Sequence, residues 1–271
     1  MTTVSTTLLR FPVEEVKVAE FARATHDHSG RVPPTFTAVA SHYAPEGQSP
    51  NEQVIKMAGL DPSRVLLGSS RWEFRRELVV GDLLMGTVEH CGTDDREGRR
   101  GGRLRLAHGR TTWVDSRGKV AVIVEATLIE TDRGSSGSCN ELIEPDHSIP
   151  SEGPTLELSV TDIVRYAGAS GDFNPMHHDQ EIARRRGYAG VFAMGMLPGG
   201  IMASALSARV WPAQITGLEL RFRGIFWPGV TYRIEEFGST TTPGRRLLAG
   251  DGHEVMSIVT VLGPERLLWA L

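Results

Sequence analysis

The chain has 271 residues, of which 40% are hydrophobic and 23% charged, with a formal net charge of −4. That length suits one large or two small domains, each with its own core, and the acidic balance argues against a general nucleic-acid partner. No apolar run approaches the roughly 18–20 residues that cross a bilayer, Met1–Arg10 lacks the hydrophobic centre of a secretory signal, and Cys91 and Cys139 stand far apart. A cytoplasmic, enzyme-sized protein with reduced thiols and no membrane partner is expected, since neither a zinc site nor a disulfide framework is indicated.

In chain order, a helix-containing first part leads into strands predicted at Ser70–Leu78, Leu83–Cys91, Arg103–Trp113 and Lys119–Ile129. His26-Asp27-His28 offers two imidazoles but no third ligand at a recognisable spacing, so no metal is expected. The basic run Arg96–Arg110 reads as a solvated hairpin. Residues 133–153, with Gly134-Ser135-Ser136-Gly137-Ser138 and then acidic and proline-containing sequence, have a linker's composition. They divide the chain into 1–132 and 154–271.

The second part predicts a helix over Thr161–Ala169 that stops at Gly171, then a nearly all-apolar helix over Met196–Val210. Strands follow at Gly217–Phe226, Thr231–Phe237, Arg245–Asp251 and Glu254–Leu262. Strict alternation in these strands implies sheets with one wet face and hence antiparallel pairing. The buried helix suits a sheet wrapped about it.

The halves echo each other. Trp72–Leu78 aligns with Leu220–Phe226, and Gly81 falls on Gly229, an offset of 229 − 81 = 148. Phe21-Ala22 falls on Tyr166-Ala167, and Asp27 on Asp172, an offset of 172 − 27 = 145.

Between Tyr166 and His177 the chain reads Tyr-Ala-Gly-Ala-Ser-Gly-Asp-Phe-Asn-Pro-Met-His. Asn174 and Pro175 force a turn, because the residue before proline is pushed out of the helical region. The turn brings Asp172 and His177 back towards each other. A base and an acid within reach of one water are the minimum equipment for adding water across a double bond or removing it. After Asp27 there is no Asn-Pro and no histidine five residues on, so one such site per chain is expected.

Tyr166, Ser170, Gly171, Asp172, Asn174, Pro175, Met176, His177 and Ala183 together resemble the signature of the MaoC-like (R)-specific enoyl-thioester hydratases, also called 3-hydroxyacyl-thioester dehydratases. The resemblance implies an α+β double hot-dog fold, in which two antiparallel sheets each wrap a central helix. The first half would be non-catalytic and shape an acyl tunnel. It further implies cofactor-free hydration of a trans-2-enoyl thioester to the (R)-3-hydroxyacyl thioester, carried by coenzyme A or an acyl carrier protein. Asp172 and His177 would hold and deprotonate water, with Asn174 and Ser170 in support.

Relatives place a His-Gly-Met-Leu-like segment at the buried helix start. Here it reads Met194-Gly195-Met196-Leu197, with Gly195 as the expected amide donor to the thioester oxygen and Met194 in place of the usual histidine. Arg184 and Arg185, close after the motif, are candidate carrier contacts. A monomer and a homodimer are both compatible with a fused pair.

Other readings stay open at this level. One is a non-catalytic acyl-binding partner subunit. Another is a tailoring dehydratase or isomerase on a polyketide, steroid or branched chain. A thioesterase would need a carboxylate on the central helix, and Met196–Val210 has none. No Gly-x-Ser-x-Gly elbow, phosphate-binding lysine loop or dinucleotide fingerprint is present.

Overall fold

The computed structural model describes residues 3–5, 7–98, 102–131, 143–145, 148, 152–210 and 215–263. The first half opens with strands β1 (Thr3–Val4) and β2 (Leu9–Pro12) and helix α1 (Glu15–Ala24), which buries Val18, Phe21 and Ala24. A 3-10 turn over Phe36–Val39 runs into the short helix α2 (Ala40–Tyr43), and α3 (Pro50–Ala58) follows.

Local chemistry fixes both ends of α3. Ser49 and Glu52 form a reciprocal capping box, Pro50 sits where a missing N–H costs nothing, and Gly59 ends the helix at φ +64°. Strands β3 (Val65–Phe74), β4 (Leu83–Glu97), β5 (Arg103–Val114) and β6 (Val120–Thr131) complete the half. Helix α3 lies on β4, β5 and β6. Gly109 permits that approach, since a Cβ there would stand 2.5 Å from Val54.

The second half contains β7 (Thr155–Glu157), α4 (Val160–Ser170), α5 (Gln180–Arg185) and α6 (Met196–Val210), then β8 (Ile215–Phe222), β9 (Thr231–Gly238), β10 (Pro243–Leu248) and β11 (Glu254–Leu262). Helix α6 spans the apolar run and packs on β8, β10 and β11, with Leu197–Ser204 buried throughout. Pro198 falls in its first turn, where backbone N–H groups have no helical partner in any case.

Every pairing between named strands is antiparallel, and the strands form one eleven-stranded sheet. This is the double hot-dog arrangement, with its two sheets fused edge to edge through β3 and β8. In that seam Arg71 lies opposite Glu219, two positions that differ by the duplication offset of 148. A pseudo-two-fold axis requires this, because residues on an axis meet their own counterparts. The aligned aromatics Phe21 and Tyr166 also meet, with ring centroids 5.6 Å apart where α1 packs beside α4.

Some boundaries differ from the sequence reading. Strand β3 starts at Val65 and ends at Phe74, taking in the apolar Val65-Leu66-Leu67 ahead of a bulge. Strand β4 continues to Glu97, pairing with Arg103 in a long hairpin. Arg103 pairs with Asp95 across that hairpin (2.8 Å), and Arg110 pairs with Glu125 on the neighbouring β6 (2.7 Å), so much of the basic run is neutralised across strands. Arg99 and Arg100 lie outside the described residues. Strand β8 ends at Phe222 because Arg223 and Gly224 both donate to the Val255 carbonyl. Most of the expected linker, residues 133–153, likewise falls outside the described residues, but Ile143 bridges to Tyr188 and so docks on the second half.

Candidate functional site

Helix α4 begins with a capping box between Ser159 and Asp162 and ends at Gly171 with φ +82°. That left-handed conformation favours glycine. Crowding adds to that preference, since a Cβ would lie 3.0 Å from the His42 side chain of the first half. The Ser170 hydroxyl donates to the Tyr166 carbonyl (2.7 Å) and accepts the Asp172 N–H (3.2 Å). Ser170 therefore backs the turn from inside and is not part of the cavity wall.

Asp172 Oδ1 accepts the Asn174 N–H, and Asn174 Oδ1 accepts the Met176 N–H, each at 3.2 Å. Pro175 then starts a single 3-10 turn ending at His177. These short-range bonds turn the chain back after α4, and both Asp172 and His177 face one cavity.

His177 is 8% exposed and packs edge-on against Phe192, with centroids 5.0 Å apart. Its Nδ1 lies 2.7 Å from the Phe192 carbonyl oxygen. A carbonyl only accepts, so Nδ1 carries the hydrogen and the neutral ring presents Nε2 as a free acceptor. Burial pushes the His177 pKa below its ordinary value, opposed by the Asp172 charge and the Phe192 bond. The neutral form is thereby favoured at neutral pH. Tyr166, fully buried on the same cavity, is pushed up by burial and then by Asp172, and stays a neutral phenol.

The cavity has a volume of about 720 Å³ and is walled by both halves. Asp172, Asn174, His177, Gly195 and Met196 line it from the second half. Thr37, His42, Trp72, Ala126 and Leu128 line it from the first. Gly195 precedes α6, and among the described residues no acceptor takes its N–H. The Phe222 ring would stand 2.9 Å from a Cβ at Gly195, so the backbone is bare at this point because nothing larger fits. An unpaired amide at a helix start favours developing negative charge. Met194, beside it, is buried and also lines the cavity.

Two expected side chains are not brought to the cavity. Arg184 donates to the Ala189 carbonyl (3.3 Å), Arg185 is ion-paired with Glu181, and both are exposed and absent from the wall. Asp27, the counterpart of Asp172, uses Oδ1 to accept the Ser29 N–H (2.8 Å) and does not reach the cavity. Among the described residues, no three His, Cys, Asp or Glu side chains gather as metal ligands do, and no helix is long and apolar enough to cross a membrane.

One residue at the site carries no sequence signal. His42 on α2 places Nε2 3.8 Å from Asp172 Oδ2 and shares the cavity wall. It belongs to no motif, and its neighbours are related to the Asp-Asn-Pro-His stretch only through the fold.

Residues 146–248 match the family model described as MaoC like domain, and residues 28–124 match the one described as FAS1-like, dehydratase domain region. The mitochondrial 3-hydroxyacyl-[acyl-carrier-protein] dehydratase of Arabidopsis thaliana is 35% identical over 75 residues, which is 28% of this chain and 45% of that protein. The chain thus spans less than half the length of that relative. Among solved structures, a MaoC-like dehydratase from Phytophthora capsici superposes with a TM-score of 0.70 at 18% identity, covering 97% of this chain and 96% of the other. A Mycobacterium tuberculosis protein described as having a double hotdog fold superposes at 0.56 and 14% identity, covering 97% and 95%. At those identities the two structures show the shared fold.

Proposed function

We propose that this chain, which joins a FAS1-like dehydratase region to a MaoC-like domain, is a hydro-lyase that interconverts trans-2-enoyl and (R)-3-hydroxyacyl thioesters. The observation that carries the reading is the composite cavity. It presents a carboxylate, an imidazole with a free Nε2 and an unpaired helix-start amide to one space.

In this reading a water is held by two acceptors, Asp172 and His177 Nε2. Its oxygen bonds to the carbon β to the thioester carbonyl, and its proton passes to the Asp–His pair. The pair returns a proton to the α carbon, so the addition balances without an outside acid. Between those events negative charge sits on the thioester oxygen, where the Gly195 N–H and the start of α6 stabilise it. Asn174 holds the Asp172 carboxylate in place through its N–H, and Ser170 fixes the backbone that carries it. No cofactor enters the scheme.

The acyl chain runs from this centre into the space between α3 and the first-half strands, lined by Trp72, Ala126 and Leu128. The first half, to residue 132, acts as its wall, and the half from 154 does the chemistry. The carrier is coenzyme A or an acyl carrier protein, and its phosphates would reach Arg184 and Arg185 only beyond the cavity lip. A spectrophotometric screen of enoyl-CoA chain lengths, repeated with carrier-protein thioesters, tests the assignment. Hydration of at least one series is expected, and failure with all of them, by a folded protein, sinks it.

A further inference from the structure

Building on the assignment of Asp172 to the reacting end of the cavity, we propose that His42, supplied by the half without the Asp-Asn-Pro-His motif, is a positioning residue for the Asp172 carboxylate. Two independent contacts support this. His42 Nε2 lies 3.8 Å from Asp172 Oδ2, while Oδ1 is already engaged by the Asn174 N–H. The two carboxylate oxygens are therefore distinguished, one held by the turn's own backbone and one facing the other half. Separately, His42 packs against Gly171, the residue that starts the turn: a Cβ there would stand 3.0 Å from the His42 Cβ and 3.5 Å from its carbonyl oxygen.

The charge inventory of the cavity points the same way. Asp172, Glu46 and Glu52 line it, and among the described lining residues there is no lysine or arginine. Its histidines are His42 and His177. His177 is buried, and its Nδ1–H is committed to Phe192. His42 is 34% exposed at its side chain, against 19% for Asp172, so the imidazole stands at the wetter edge of the contact and still faces the carboxylate. A separation of 3.8 Å is a polar contact longer than a hydrogen bond, and partial exposure keeps it modest. Such a contact suits orientation better than bulk stability. The acidic and imidazole groups that share the cavity wall with His42 are Asp172 after α4, His177 in the turn, Glu52 on α3 and Glu46 in the loop before it. After burial, and alongside His178, His42 is one of the charges that lower the His177 pKa.

A double-mutant cycle separates positioning from packing. His42→Ala should lower kcat for crotonyl-CoA hydration roughly 10-fold, as small misplacement of a reacting group does, with KM within about two-fold. His42→Gln, which keeps a polar N–H, should recover part of that loss. In an Asp172→Asn background, His42→Ala should have no further effect on residual turnover. An equal fall in both backgrounds, or no fall in either, overturns the proposal.

The same cycle read by urea unfolding, using His42→Gln and Asp172→Asn, needs no activity. Non-additive midpoint shifts are expected, and additive shifts overturn the proposal. A wild-type protein that shows the coupling but turns over no enoyl thioester removes the catalytic reading and leaves the His42–Asp172 contact standing.

Discussion

His177 gives its Nδ1 hydrogen to the Phe192 carbonyl at 2.7 Å, and that bond decides which side of the imidazole can do chemistry. With Nδ1 occupied, Nε2 alone is left to accept a proton. The ring is held against rotation by its packing on Phe192. The carbonyl thus does for His177 what a carboxylate often does elsewhere, fixing both tautomer and direction.

On the proposed reading, removing either Asp172 or His177 should remove turnover without removing the fold. Asp172→Asn and His177→Ala are each expected to lower kcat for a crotonyl thioester by about 10²–10⁴-fold, the range for a positioned proton-transfer group. Steady-state rates checked against circular dichroism decide it, and near-native hydration by either folded variant defeats the mechanism.

The pH dependence has a definite sign. Burial lowers the His177 pKa from 6.5, so the imidazole begins to charge only at a lower pH than usual. The acid limb of kcat/KM attributable to it should lie below about pH 6.5. Stability is linked to the same group. The unfolded chain binds this proton more readily than the folded one, so the contribution is intact at neutral pH. It declines as pH falls from about 6.5 and levels off below the folded pKa. Urea midpoints measured across this window should lose that slope in His177→Gln.

Gly195→Ala keeps the backbone N–H but places a Cβ 2.9 Å from the Phe222 ring. Relief of the clash must move the amide or the ring. A fall in kcat of about 10²-fold is expected if the amide is displaced from the thioester oxygen, with about 1–3 kcal/mol of lost stability from overpacking. Rates and thermal unfolding of the single variant measure both.

Filling the first-half end of the cavity should change chain-length preference and leave the chemistry alone. Ala126 on β6 is half-buried and lines that end. Ala126→Phe is expected to depress kcat/KM for long-chain enoyl thioesters by about 10-fold or more, as loss of several buried methylenes would, while crotonyl thioester hydration stays within about two-fold. Equal effects on both substrates would place the acyl chain elsewhere.

Much of this was legible from sequence because the signals were local. Helix α4 and its Gly171 stop came from apolar spacing and a cap, α6 from an unbroken apolar run, and the turn from Asn174-Pro175. What was not legible depended on partners distant in the chain. The outer part of β4, Asp94-Asp95-Arg96-Glu97, looks like a polar loop because an exposed hairpin has no buried face to impose alternation. Arg184 and Arg185 sit near the motif in sequence, yet their directions are set by α5, whose exposed face carries them away from the cavity. His42 reaches Asp172 only because the two halves pack against each other, which spacing along the chain does not encode. The duplication offset was visible. That it would appear as Arg71 facing Glu219 required the register of β3 on β8.

That seam makes the two repeats interdependent. Cut between them, either fragment would expose β3 or β8 as a bare border whose unpaired amides and carbonyls invite another chain. Each would also lose the opposite wall of the shared cavity. One continuous polypeptide keeps the complementary border at hand from the moment both repeats exist, so the second repeat shields the first from self-association while completing its cavity.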